Sequence, residues 1–145
     1  MFVVDANILV YAANADSPFH ERTRRRLEAW RRSAAAWYLT WGICYEFLRA
    51  VTHRRVLRTP WTGAAAWRFL EAVLASPGLS LLIPTDRHAA VAADVIEESS
   101  PVAGNLWHDA VTAILMREHG IATIYTRDAD FRRFSFLQVV DPLRE

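Results

Sequence analysis

Short runs rich in β-branched and aromatic residues alternate along the chain with longer stretches whose apolar residues recur at helical spacing. The first run, Phe2-Val3-Val4, reads as a buried strand that ends on a carboxylate, Asp5, and residues 8–13 begin a short helix. Ser17-Pro18 looks like an N-cap followed by proline at the first helical position, so a second helix is expected to reach about Ser33. Residues 35–39 predict a strand, and Thr40 caps a helix carrying Trp41, Ile43, Cys44, Phe47, Leu48 and Val51. Pro60 and Thr62 open a helix over 63–75 that Pro77-Gly78 closes, and residues 79–83 form the next strand. Thr85 is expected to cap a helix through about Glu98, followed by a loop over 99–104. Asn105 then caps a helix that ends at Gly120, and residues 121–125 and 136–140 supply the last two strands. Strands separated by helices in this way predict an α/β/α sandwich with a mostly parallel, five-stranded sheet.

At 145 residues and 52% hydrophobic content the chain fits one domain over residues 1–145. A domain of that size buries roughly 70% of its unfolded surface without staples. The lone Cys44 leaves no disulfide framework and no cysteine-based zinc site, which points to a reducing cytoplasm. Residues 1–15 are apolar but lack a basic leader and contain Asp5, so they read as mature protein. No stretch approaches the roughly 18 apolar residues of a membrane span, and no membrane partner is expected.

The net charge of +1 conceals a bias, because all 17 basic residues are arginines. Without lysine, a Walker-type phosphate loop, a receiver domain and a haloacid-dehalogenase phosphatase are all excluded. Arginine instead offers planar, bidentate contacts to phosphate. Arg22, Arg24, Arg25, Arg26, Arg31 and Arg32 surround the second helix, with Glu21 and Glu28 among them. That face suits nucleic acid, a partner protein or plain solvent.

An ionised carboxylate at the end of a buried strand costs several kcal/mol unless donors or a cation meet it. Asp128 follows the fourth strand as Asp5 follows the first, and parallel strands bring both to the carboxyl edge of the sheet. The helix that begins near Asp109 runs antiparallel to the strand it feeds, which returns Asp109 to the same edge. Glu46, near the start of a helix that follows a strand, arrives there by the same geometry. Taken singly, each has a structural use in a cap, a turn or a solvated face. Together, four carboxylates with no lysine call for a hard divalent cation, Mg²⁺ or Mn²⁺, held open toward phosphate oxygens.

Val3-Val4-Asp5-Ala6-Asn7-Ile8-Leu9, Tyr45-Glu46-Phe47-Leu48-Arg49, Asn105-Leu106-Trp107-His108-Asp109-Ala110 and Thr126-Arg127-Asp128-Ala129-Asp130-Phe131 resemble the four acidic motifs of PIN-domain ribonucleases. Their order and spacing are similar to the VapC-type toxins of toxin–antitoxin pairs. The resemblance implies a Mg²⁺-dependent endoribonuclease, a homodimer and a cognate antitoxin protein. It makes Asp5 and Asp109 the principal metal ligands, with Glu46 and Asp128 completing the catalytic set and Asp128 also a metal ligand. Asn7, Thr126 and Asp130 become supporting residues. Apart from the resemblance, Arg49 and Arg127 lie nearest the site in sequence and are candidate contacts to an RNA substrate, as is His108, whose first reading is a packing or surface residue. The expected reaction is attack of a metal-activated water on an RNA phosphodiester. An inactive PIN-like module that binds RNA or protein, or a DNA or flap nuclease of similar fold, carries the same residues and stays open.

Overall fold

The computed structural model describes residues 1–144. Five strands, β1 (Phe2–Val4), β2 (Trp37–Thr40), β3 (Leu79–Leu82), β4 (Thr123–Tyr125) and β5 (Gln138–Val140), form one sheet in the order β3-β2-β1-β4-β5. Every pairing is parallel. Six helices pack with the sheet: α1 (Ala6–Ala13), α2 (His20–Arg32), α3 (Trp41–Val51), α4 (Gly63–Leu74), α5 (His88–Glu98) and α6 (Leu106–Glu118). The expected parallel α/β architecture is therefore present.

The chain lays down β1, β2 and β3 toward one side and β4 and β5 toward the other. The strand order reverses beside β1, and ligands of open α/β sheets bind at such a reversal, outside the carboxyl ends of the strands. Two backbone bonds extend the ladder beyond the strands at that edge, Asp5 N to Tyr125 O and Thr126 N to Val140 O, both 3.0 Å. Val3 and Val4 are fully buried in the core with Ile8, Leu9, Trp37, Leu39, Phe47, Ile124, Phe131 and Phe134. At the other end of β1, Phe2 packs edge-on to Tyr125 and against Trp30, which fixes α2 over the sheet.

Thr40 and Thr62 cap α3 and α4 as the sequence predicts, accepting from the amides of Ile43 and Ala65 at 3.1 Å. Three helix starts differ. Helix α1 begins at Ala6, because Asp5 is itself the cap and its Oδ1 accepts from the Ala6 amide at 2.8 Å. Helix α2 begins only at His20, since Ser17 closes a turn through the Phe19 amide instead of capping a helix. Helix α5 begins at His88, because the hydroxyl of Thr85 accepts from the Arg87 amide at 3.2 Å in a local turn while donating to the buried Glu118. Gly120, with φ 70°, closes α6 as expected of a C′ glycine. Cys44 is buried, and burial pushes its thiol up to about 12, which leaves it inert packing.

Gly78 is needed for closeness and not for turn geometry. Its carbonyl accepts from Trp37 N at the start of the β2–β3 ladder, and a Cβ there would collide with the Ala35 carbonyl. The second obstacle, the Ser33 carbonyl at 3.0 Å, is also backbone and does not rotate away. Gly78→Ala should therefore cost about 1–3 kcal/mol, as overpacked sites do. Urea unfolding would measure it, and an unchanged midpoint would contradict the close packing of Gly78 against the Ala35 carbonyl. No helix among the described residues is long and apolar enough to cross a membrane.

Candidate active site

Asp5 is the residue around which the edge is built. Its side chain is 6% exposed and every contact it makes is to a donor. Besides the Ala6 amide on Oδ1, its Oδ2 accepts from the Thr126 hydroxyl at 2.7 Å and from Asn7 Nδ2 at 3.0 Å. Asn7 Nδ2 also reaches Thr126 Oγ1 at 3.0 Å, and that oxygen accepts from the Asp128 amide at 2.9 Å. Asp5, Asn7, Thr126 and Asp128 are thus one hydrogen-bonded chain joining the ends of β1 and β4. Burial pushes the Asp5 carboxyl up to about 6 despite those donors, and the charges of Glu46 and Asp128 add to the effect.

In front of this chain lies an acidic cavity of about 520 Å³, lined by Glu46, Arg49, Asn105, His108, Asp109, Asp128 and Asp130. Asp109 sits in the first turn of α6, and Asp128 caps the short 3-10 helix Ala129–Arg133 through the Asp130 amide. One oxygen from each of Asp109, Asp128 and Asp130 falls within 4.8 Å of the others, close enough to share a cation. Burial is the largest influence on Asp109, and the surrounding charges of Asp128, Asp5, Glu46 and Asp130 help push its carboxyl up to about 7. The donor set is all oxygen, mutually repulsive and short of positive charge, which fits Mg²⁺ or Mn²⁺.

All four acids expected from the sequence lie at this edge, but their parts differ. Asp130, expected only as support, belongs to the tightest trio, whereas Asp5 lies behind the cavity wall with both oxygens already engaged. Glu46 is exposed on α3 across the cavity. His108 lines the cavity although it is adjacent to Asp109 in sequence. Asn105 was readable only as a cap. Its side chain makes no cap bond and instead lines the cavity, one helical turn before Asp109, a spacing that puts both on one face. The arginines of α2 are largely committed elsewhere: Arg24 and Arg25 pair with Glu21, and Arg31 and Arg32 pair with Glu28.

The raised carboxyls have a consequence for stability. Asp5 and Asp109 hold protons in the folded state at pH values where the unfolded chain has released them. Stability therefore falls as pH rises from about 4 to about 7, on the order of 3 kcal/mol for Asp5 alone. A bound divalent cation offsets the repulsion of the ionised forms. Mg²⁺ should accordingly raise the melting temperature more near pH 7.5 than near about pH 5. Calorimetry at both pH values checks this, and a Mg²⁺ effect independent of pH would refute it.

An open parallel sheet with clustered carboxylates at its strand-order reversal defines a class of acidic-site α/β proteins. Compared with known families, the chain matches the PIN domain over residues 2–137. The chain belongs to the PIN-domain family. It is 33% identical to Ribonuclease VapC48 of Mycobacterium tuberculosis over 138 residues, 95% of this chain and 94% of that protein. Ribonuclease VapC33 of the same organism is 33% identical over 149 residues, covering all of both chains. Among solved structures, the Mycobacterium tuberculosis toxin VapC20, described as cleaving the sarcin–ricin loop, superposes with a TM-score of 0.66. It is 20% identical, with 97% of this chain and 100% of that one covered. VapBC2 of Rickettsia felis, bound to promoter DNA, gives a TM-score of 0.67 at 16% identity, with 96% of each chain covered.

Proposed function

We propose that this protein is a metal-dependent endoribonuclease, the toxin of a toxin–antitoxin pair. The observation that carries the reading is the convergence of Asp5, Glu46, Asp109 and Asp128 on one edge, with two of their carboxyls pushed up and, among the described residues, no cation salt-bridged to either. A group of acids so expensive to assemble serves a ligand that neutralises it. The VapC ribonucleases that match over nearly the whole chain support RNA as substrate. The solved VapBC complexes support an antitoxin partner.

Asp109 and Asp128, with Asp130 beside them, would hold Mg²⁺, for which Mn²⁺ can substitute, and Asp5 completes the set from behind. When bound, the ion supplies Lewis acidity toward phosphate oxygens and lowers the pKa of water. Glu46, exposed across the cavity, takes the proton of the attacking water as its oxygen adds to phosphorus and the P–O3′ bond breaks, the departing 3′ oxygen taking a proton from solvent. Asn7 and Thr126 fix the Asp5 carboxylate so that it does not rotate away from the edge. Arg49 is the cavity's guanidinium and, with His108, contacts the phosphate and sugar of the bound strand. The products carry 5′-phosphate and 3′-hydroxyl ends. The homodimer implied by the family has apolar surface to bury, since Trp41, Tyr45, Trp107 and Val111 remain exposed on α3 and α6. The protein acts in the cytoplasm, in keeping with its single, buried cysteine.

End-mapping of a mixed RNA pool, incubated with the purified protein in Mg²⁺ or in chelator, tests this function. Cuts at a few sites that vanish in chelator are expected. Undiminished cutting in chelator would refute the metal-dependent mechanism, and binding without any cutting would favour an inactive binding module.

A further inference from the structure

Asp128 also lines a second, polar cavity of about 140 Å³. Thr126, Arg127, Asp128, Arg132, Asp141 and Arg144 line it. Asp141 Oδ2 accepts from Arg127 Nε at 3.3 Å and also pairs with Arg144 Nε at 3.5 Å. Its Oδ1 accepts from the Leu143 amide, so the carboxylate itself is fixed. Both guanidiniums are gripped by their inner nitrogen. Their terminal amino groups make no hydrogen bond among the described residues. Arg127 is held further by Phe19, whose ring centroid lies 4.3 Å from the guanidinium carbon. Arg132 enters the cavity with no ion pair among the described residues.

Three guanidiniums that would repel one another are thus gathered beside one pinned carboxylate, with their forked donors left free. We propose that this cavity is a phosphate subsite, which receives a backbone phosphate of the RNA strand next to the one being cleaved. Forked amino groups match the paired oxygens of a phosphodiester. Holding the arginines in place beforehand removes part of the ordering cost of binding. The two cavities share Asp128, so a strand whose reacting phosphate lies over Asp109 and Asp128 leaves the acids directly onto these cations. A strand of phosphates needs such a relay, because the carboxylates repel every phosphate that the bound ion does not serve. The sequence pointed to Arg127 alone; Arg132, Asp141 and Arg144 join it only through the fold.

The subsite rests on the nuclease reading for its substrate, but its test does not require cleavage. Fluorescence anisotropy of a labelled single-stranded RNA, on the Asp109→Asn background, gives the affinity across a salt series. Each phosphate contact contributes about 0.7 to the slope for single strands, so losing this one phosphate through Arg132→Gln and Arg144→Gln should flatten it by up to about 0.7. Both side chains are exposed, and neither change disturbs the core. Arg58→Gln with Arg68→Gln removes the same charge from exposed positions outside the cavity and should leave the slope nearly unchanged. A wild-type slope in the cavity variant, or an equal loss in the control pair, overturns the subsite. So does a cavity variant that loses affinity for poly-glutamate but not for RNA, which would assign the cavity to an acidic protein segment. If the unmutated protein cuts no RNA while the cavity variant alone loses slope, the nuclease reading falls and the subsite stands.

Discussion

Asp109→Asn is expected to reduce Mg²⁺-dependent RNA cleavage by about 10²–10⁴-fold, the range over which a positioned catalytic group acts. The same change should make the metal-free protein more stable near neutral pH. Asp109 is destabilised by burial and by the charges of Asp128, Asp5, Glu46 and Asp130, and among the described residues no hydrogen bond or ion pair holds its carboxylate. A neutral amide of equal size removes that repulsion and leaves nothing unpaired that was paired before. Asp5→Asn should lose activity without the gain, because one of its two oxygens would become an amide nitrogen. That nitrogen would face Asn7 Nδ2 or the Ala6 amide, donor against donor. Single-turnover cleavage and thermal unfolding of both variants separate the cases. An Asp109→Asn protein that cuts normally would remove Asp109 from the reaction. One that is inactive but less stable than the parent would mean that the carboxylate is structural.

The edge was legible in the sequence because parallel topology obeys few rules. Once the first and fourth apolar runs are strands and the intervening segments helices, the end of each strand and the start of each following helix must share one side. Asp5, Glu46, Asp109 and Asp128 follow from that alone. What the pattern could not supply was the depth of each residue at the edge. Asp5 and Asp130 both lie within a few residues of a strand end, yet one is enclosed by Ala6, Asn7 and Thr126 while the other opens onto the cavity. The difference comes from a side-chain network spanning more than a hundred residues of sequence, for which helical or strand periodicity has no term. Thr85 failed as a predicted cap for the same reason. A local rule assigned its hydroxyl to the next helix, and a carboxylate 33 residues away accepts from it instead, together with the Thr85 amide and His88. The arginine cavity was illegible too, since Arg132 and Arg144 are ordinary surface residues until the fold brings both to one cavity beside Asp141.

Glu118→Ala is expected to destabilise the fold by about 1–3 kcal/mol, the cost of leaving partly buried donors without their acceptor. The Glu118 side chain is fully buried near the end of α6. Its Oε1 accepts from both the amide and the hydroxyl of Thr85, and Oε2 lies 2.6 Å from His88 Nδ1. Alanine would leave the Thr85 amide and hydroxyl and the His88 ring without their acceptor at a partly buried site, and would release the start of α5 from α6. Burial pushes the Glu118 carboxyl up, but the bonds from Thr85 and His88 outweigh it and hold it at about 2. The sign of its linkage is therefore opposite to that of Asp5 and Asp109. Its stabilisation is present above the ordinary carboxylate range near 4.5 and is lost as pH falls from there toward about 2. The penalty of the alanine variant should accordingly be large in urea at neutral pH and shrink in acid. Glu118→Gln, which keeps one acceptor, should fall between. Glu118 stands nine residues after Asp109, roughly 14 Å along the same helix at 1.5 Å per residue. In the folded fraction, cleavage should then survive the loss, unlike in Asp109→Asn. A variant with parental stability would show that the Thr85 and His88 donors find other acceptors. One that stays folded but loses cleavage would couple the far end of α6 to the active edge.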